Sequence, residues 1–190
     1  VTCLRRSCVP YAKARAAVGM GAYAPLSVRL FGDPHLQHHL KVLFLQSLIL
    51  STLTFNAHVR VLDGKSLDIL NAVYMRVVRR IAGKVRYDAT SISDFEVRKL
   101  VQLPSIDCII QKARLRYLAR LARVQPTQLI ALLLSRDGKG CVLLPWVKLI
   151  RQDLDDLHRY VPKIHALLPH PAAHPWEWHR FMREEGDAFD

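Results

Sequence analysis

At 190 residues and 51% apolar side chains, the chain has enough hydrophobic content for one ordinary domain or two small ones, which excludes disorder throughout. Its formal charge of +12 is segregated, with 21 Lys and Arg against 7 Asp and Glu over residues 1–136, and 7 against 9 over 137–190; such a field draws polyanions, nucleic acid first and an anionic membrane surface second. Four cysteines without a C-x-x-C pair exclude a disulfide-dense scaffold and suggest reduced thiols in an intracellular protein, while the longest apolar run, Val42 to Phe55, is too interrupted and too short for a membrane helix of roughly 20 residues.

The first 32 residues carry five bases (Arg5, Arg6, Lys13, Arg15 and Arg29) and no acid, a bias shared with mitochondrial transit peptides. Because the chain opens on Val1, it is expected to be a segment of something longer, with a nuclear or cytoplasmic address ahead of a mitochondrial one. Apolar residues, alanines and bases are mixed through Tyr11 to Met20, predicting a basic helix that ends at the Gly19 to Gly21 cluster. Asp33-Pro34 reads as an N-cap with proline at the first helical position, opening a long helix from His35 to about Arg60. That helix is apolar on most faces and is therefore expected in the core. Asp63-Gly64 is a turn and Ser66 a cap. Behind them Leu67, Leu70, Val73, Tyr74, Val77, Val78 and Ile81 recur at helical spacing until Gly83 stops the helix.

Ser93 and Glu96 form a capping box for a short helix ending near Val101, and Leu103-Pro104-Ser105 punctuates it. Helices are predicted from Ser105 to about Val124, from Pro126 through Leu134, and from Pro145 to about Tyr160. Asp137-Gly138-Lys139-Gly140 marks the predicted boundary between a basic domain, residues 1–136, and a mildly acidic helical extension, 137–190. Pro162, Pro169, Pro171 and Pro175 predict a tail of loop followed by a short helix. With no alternating run and no solenoid repeat, the predicted class is all-α, an irregular multi-helix bundle with a proline-rich, partly looped tail.

Two helix faces carry cations at spacings of three and four. Arg76, Arg79, Arg80 and Lys84 lie opposite the apolar stripe of the third helix, and Lys112, Arg116, Arg120 and Arg123 do the same on the helix from Ser105. At a 1.5 Å rise this places roughly one cation every 6 Å, a repeat suited to phosphates. A solvated bundle face is the ordinary meaning of such a stripe, but the acids that would pair within each helix are largely missing, with only Asp107 near the second. His165, His170, His174 and His179 have spacings that can supply zinc ligands, yet no cysteine is near them in sequence, and no metal or cofactor is expected. Asp153, Asp155 and Asp156 read as a solvated helix face, because adjacent helical residues point about 100° apart and share one magnesium ion poorly. Trp176 and Trp178 suit either base stacking or pinning the tail to the core. No assembled catalytic constellation is found, so the chain is read as a non-enzyme.

The order Lys41-Val42-Leu43-Phe44-Leu45-Gln46-Ser47-Leu48-Ile49-Leu50-Ser51, followed by Leu67 through Arg79-Arg80-Ile81-Ala82-Gly83, resembles the region after the palm in non-LTR (LINE-type) retrotransposon reverse transcriptases. Arg114-Leu115-Arg116-Tyr117-Leu118-Ala119-Arg120-Leu121-Ala122-Arg123 is similar to that family's later R-L-R-W-L-G-H-V-x-R block, with Tyr117 in place of tryptophan and Ala119-Arg120 in place of Gly-His. The resemblance implies a thumb and linker that grip a primer–template duplex, with RNA or DNA backbone and the palm of a parent polyprotein as partners. Neither the palm's aspartates nor the family's Cys/His zinc knuckle has a match here, so no catalytic residue carries over. The sequence therefore predicts a non-catalytic nucleic-acid-binding segment of a retroelement reverse transcriptase. Its rivals are a helical subunit of a ribonucleoprotein or organellar complex and, in a third class, a peripheral membrane protein.

Overall fold

The computed structural model describes residues 7–83, 92–124 and 145–185, and every regular element among them is helical, as the predicted all-α class requires. The chain divides into two compact units, Val1–Ile109 and Ile110–Asp190, with the division inside a single helix. The boundary predicted at 137–140 and the helix predicted from Pro126 through Leu134 lie outside the described residues.

In the first unit, α1 (Val9–Tyr23) has Pro10 in its opening turn and runs through the glycine cluster instead of ending there. Gly19 is buried, and a Cβ on it would stand 3.2 Å from Leu53 Cδ1 and 3.6 Å from Val73 Cγ1. Glycine is needed there for close packing, which a reading of glycine as a helix stop does not detect.

Asp33 does not cap the next helix. Its Oδ1 accepts from the His35 N–H at 2.8 Å, a local turn that competes with helix initiation, and α2 (His38–Phe44) begins after Gln37. A wide π turn, Leu45–Leu50, then leads into α3 (Ser51–Leu53). The hydroxyls of Ser47, Ser51 and Thr54 each donate to the carbonyl four residues back, a bonding pattern that accompanies bent helices. The wide turn slows the helical rotation, so Leu50 and Leu53 join Lys41, Leu45 and Ile49 as buried residues while Leu43 and Leu48 stay exposed. The helix is thus buried on one side rather than most. It also stops well short of Arg60, because Asn56 takes the left-handed conformation (φ 57°) ahead of a 3-10 turn at Ala57–Val59.

The fourth helix, α4 (Gly64–Ile81), is capped by Asp63, whose carboxylate accepts from the Ser66 N–H at 2.9 Å. Ser66 itself is buried inside the first turn. Hydrogen bonds from Ser66 hold the Asp63 carboxyl below its usual pKa. Leu70, Val73, Tyr74, Val77, Val78 and Ile81 are all buried, as their spacing demands, with α1 packed alongside. Each such side chain contributes about 1.5–3 kcal/mol by leaving water. Gly83 (φ +66°) ends the chain's helical run. α5 (Asp94–Val101) starts with both bonds of the Ser93–Glu96 capping box in place. The fully buried Tyr74 donates its hydroxyl to the Pro104 carbonyl at 2.7 Å, tying the segment after α5 to α4.

The division between units falls within α6 (Ile106–Val124), and the second unit continues with α7 (Pro145–Tyr160), α8 (Pro162–Leu167) and α9 (Pro175–Glu184). Its core is Leu115, Leu118, Ala119, Ala122, Ile150, Leu154, Leu168, Trp178 and Met182. The tail is more helical than its prolines suggest, since Pro162 and Pro175 occupy first-turn positions where their missing N–H is harmless. No helix among the described residues is long and apolar enough to cross a membrane.

Burial lifts the Tyr74 phenol to a pKa of about 12, so the folded protein holds a proton that the unfolded chain releases near 10. Stability of the first unit is therefore expected to fall as pH rises from about 10 towards 12. Tyr74→Phe is expected to cost about 1 kcal/mol at neutral pH and to flatten that alkaline decline in urea titrations across the range.

Candidate nucleic-acid interface

The two cationic faces belong to different units, and side-chain surroundings separate them further. On α4, Arg76 is exposed. Arg79 is only 14% exposed, and its Nη2 lies 2.5 Å from Asp94 Oδ1 and donates to the Ile92 carbonyl at 2.9 Å. Arg80 donates from Nε to the Ser27 carbonyl at 3.2 Å, and its guanidinium fills the space beside Gly32, where a Cβ would stand 2.3 Å from Nη2. Lys84 lies outside the described residues. Arg79 and Arg80 therefore fasten α4 to the start of α5 and to the segment after α1. Reversing their charge acts first on folding.

On α6 the separation of faces is clean. Lys112, Arg116, Arg120 and Arg123 are all exposed, while Arg114, Leu115, Leu118, Ala119 and Ala122 are buried. The exposed four span twelve residues, about 16 Å along the axis, and Asp107 is the only acid in the helix. This row of cations, carried by a helix backed by a packed core, is spaced to meet successive phosphates.

Arg114 was hidden from pattern reading by its position inside the same basic run. It lies on the core side of α6, with Nε 2.5 Å from Asp153 Oδ2 on α7. Asp153, expected on a solvated face, is thus buried, and the acidic trio is split: Asp155 instead lies 3.8 Å from His170 Nε2. Burial pushes the Asp153 carboxyl up to a pKa of about 6, with Arg114 opposing the rise. The sequence signal for this pair is slight: α7 buries Val147, Ile150 and Leu154, and Asp153 falls on that same helical side.

The histidines of the tail go to separate tasks. His158 Nε2 meets the Leu168 carbonyl at 3.1 Å, and its ring lies 4.7 Å from that of His165 and 5.5 Å from that of His170, centre to centre. His174 Nδ1 is 3.3 Å from Glu177, and His179 is buried, with its pKa lowered by burial and then by Arg183. Among the described residues, no three His, Cys, Asp or Glu side chains come together as a metal site. The two tryptophans also diverge. Trp178 is fully buried and donates from Nε1 to the Pro169 carbonyl at 2.7 Å, pinning the tail, whereas Trp176 is 56% exposed. No protein-family model matches the chain, and no curated protein or solved structure matches it either.

Removing Arg114 leaves the Asp153 carboxylate buried without its counter-charge. Arg114→Met is expected to cost the second unit about 3 kcal/mol at pH 7. The loss should shrink as pH falls, since the carboxyl then takes up a proton. In the unsubstituted protein the folded pKa of about 6 exceeds the unfolded value, so stability declines as pH rises from about 4 to 6. Denaturant titrations at several pH values, followed by the fluorescence of the second unit's tryptophans, report both effects.

Proposed function

We propose that this chain is a non-catalytic, nucleic-acid-binding segment of a retroelement reverse transcriptase, corresponding to the thumb and linker that hold a primer–template duplex. The observation that carries the binding role is the α6 row of Lys112, Arg116, Arg120 and Arg123, exposed together on one side of a helix whose other side is core. The retroelement assignment rests on the resemblance of residues 41–51, 67–83 and 114–123 to the region following the palm. Partners under this assignment are RNA or DNA backbone and the palm of the parent polyprotein. Phosphate contact through a cationic row is indifferent to base sequence and releases counterions, so affinity is governed by salt.

If all four cations meet phosphates, the logarithm of the binding constant should fall against the logarithm of salt with a slope of about −4, measured by filter binding to a primer–template duplex. Lys112→Glu with Arg116→Glu should weaken low-salt binding by about tenfold or more and make that slope shallower. Arg180→Glu with Arg183→Glu, two exposed positions on α9, serves as the matched control. Equal losses in the two variants, or affinity indifferent to salt, would sink the proposal.

A further inference from the structure

A second set of cations meets aromatic rings in the first unit, far from α6 in sequence. Tyr11 and Arg15 come from α1, and Phe55 and Arg60 come from the segment after α3. The Arg15 guanidinium carbon lies 5.3 Å from the centre of the Phe55 ring, and that of Arg60 lies 4.3 Å from the centre of the Tyr11 ring. The Tyr11 hydroxyl donates to the Phe55 carbonyl, fixing the backbone that carries the exposed ring. Burial raises the Tyr11 pKa above its ordinary value, so the hydroxyl keeps the proton it donates.

Three features set this cluster apart from an ordinary surface contact. Phe55 is 56% exposed while its own carbonyl is held by the Tyr11 hydroxyl. Both guanidiniums are held against rings, which reduces the rotamer freedom that binding would otherwise have to remove. The segments that build it, residues 9–23 and 54–60, also contain no Asp or Glu, and the carboxylate of Asp63, three residues past Arg60, accepts from the Ser66 N–H. An exposed ring with one guanidinium on it, and a second on the Tyr11 ring that holds its backbone, can take an unpaired base by stacking and neighbouring phosphates by charge.

We propose that Phe55 is a stacking platform for an unpaired nucleobase, with Arg15 and Arg60 receiving the flanking phosphates, so that the first unit binds single-stranded nucleic acid. The proposal deepens the nucleic-acid role given above and depends on it, but it uses different residues in a different unit. A duplex offers only its terminal base pairs for stacking, so the platform favours single strands, overhangs and frayed ends.

The test uses the full chain and two probes: a single-stranded oligonucleotide containing 2-aminopurine, whose fluorescence is quenched on stacking, and a blunt duplex of the same length. Phe55→Leu should lower affinity for the single strand by about tenfold and abolish the extra quenching, with duplex affinity unchanged. Phe55→Trp should preserve both signals. Since Phe55 is largely exposed, both variants should melt with the unsubstituted protein, and circular dichroism checks this. Single-strand affinity and quenching unchanged in Phe55→Leu, or equal loss on both probes, would overturn the platform. If Lys112→Glu with Arg116→Glu still weakens duplex binding in that case, the α6 proposal survives alone. An unsubstituted protein that binds neither probe overturns both.

Discussion

A guanidinium or ammonium leaves water only where an acceptor is already in place, and a chain with 28 Lys and Arg against 16 Asp and Glu has few carboxylates to offer. The internal cations show how that shortage is met. Arg79 and Arg114 take two of the carboxylates, Asp94 and Asp153. Lys41 and Arg80 instead turn to the backbone carbonyls of Asp33 and Ser27. Both carbonyls lie in irregular chain, where a C=O is not already spent on a helical hydrogen bond. Irregular segments thus serve as acceptors for a basic protein, and their positions determine which cations fold inward. The α6 row faces solvent on the side of the helix away from the core.

Most helices could be read from pattern because their determinants are local. The Ser93–Glu96 box and the apolar spacing of Leu70 to Ile81 act within a turn or two, and the structure has both. What could not be read depends on partners distant in sequence. Gly19 is a contact with Leu53 and Val73 rather than a stop, and Arg79 differs from Arg76 because Asp94 and the Ile92 carbonyl are close to it in the fold. Periodicity places Arg76, Arg79 and Arg80 on one cationic face suited to phosphates, but three positions on one side of a helix have different neighbours once α5 and the segment after α1 are packed. The Arg114–Asp153 pair was obscured in the same way, each member lying within a run of like charge whose other members stay outside.

The two proposed contacts divide the work of nucleic-acid binding by physical type. A helical row of cations reads charge spacing and is blind to base identity and pairing. An exposed ring beside a guanidinium needs a base free of its stack. Four phosphate contacts release more counterions than two, so salt weakens the first more than the second and the balance between duplex and single-strand affinity should shift with ionic strength in a protein that uses both.

The wide turn at Leu45–Leu50 holds one residue more than a regular helix needs to cover the same path. The flanking segments, His38–Phe44 and Ser51–Leu53, are therefore aligned as if that residue were absent. A one-residue deletion among the exposed positions of the turn, Gln46 to Leu48, would be expected to restore an ordinary helix and leave both flanks in register. The same deletion within residues 114–123 of α6 would swing its downstream cations by about 100° towards the core. Register thus tolerates the loss of an exposed residue in one turn of this protein and does not tolerate it along α6.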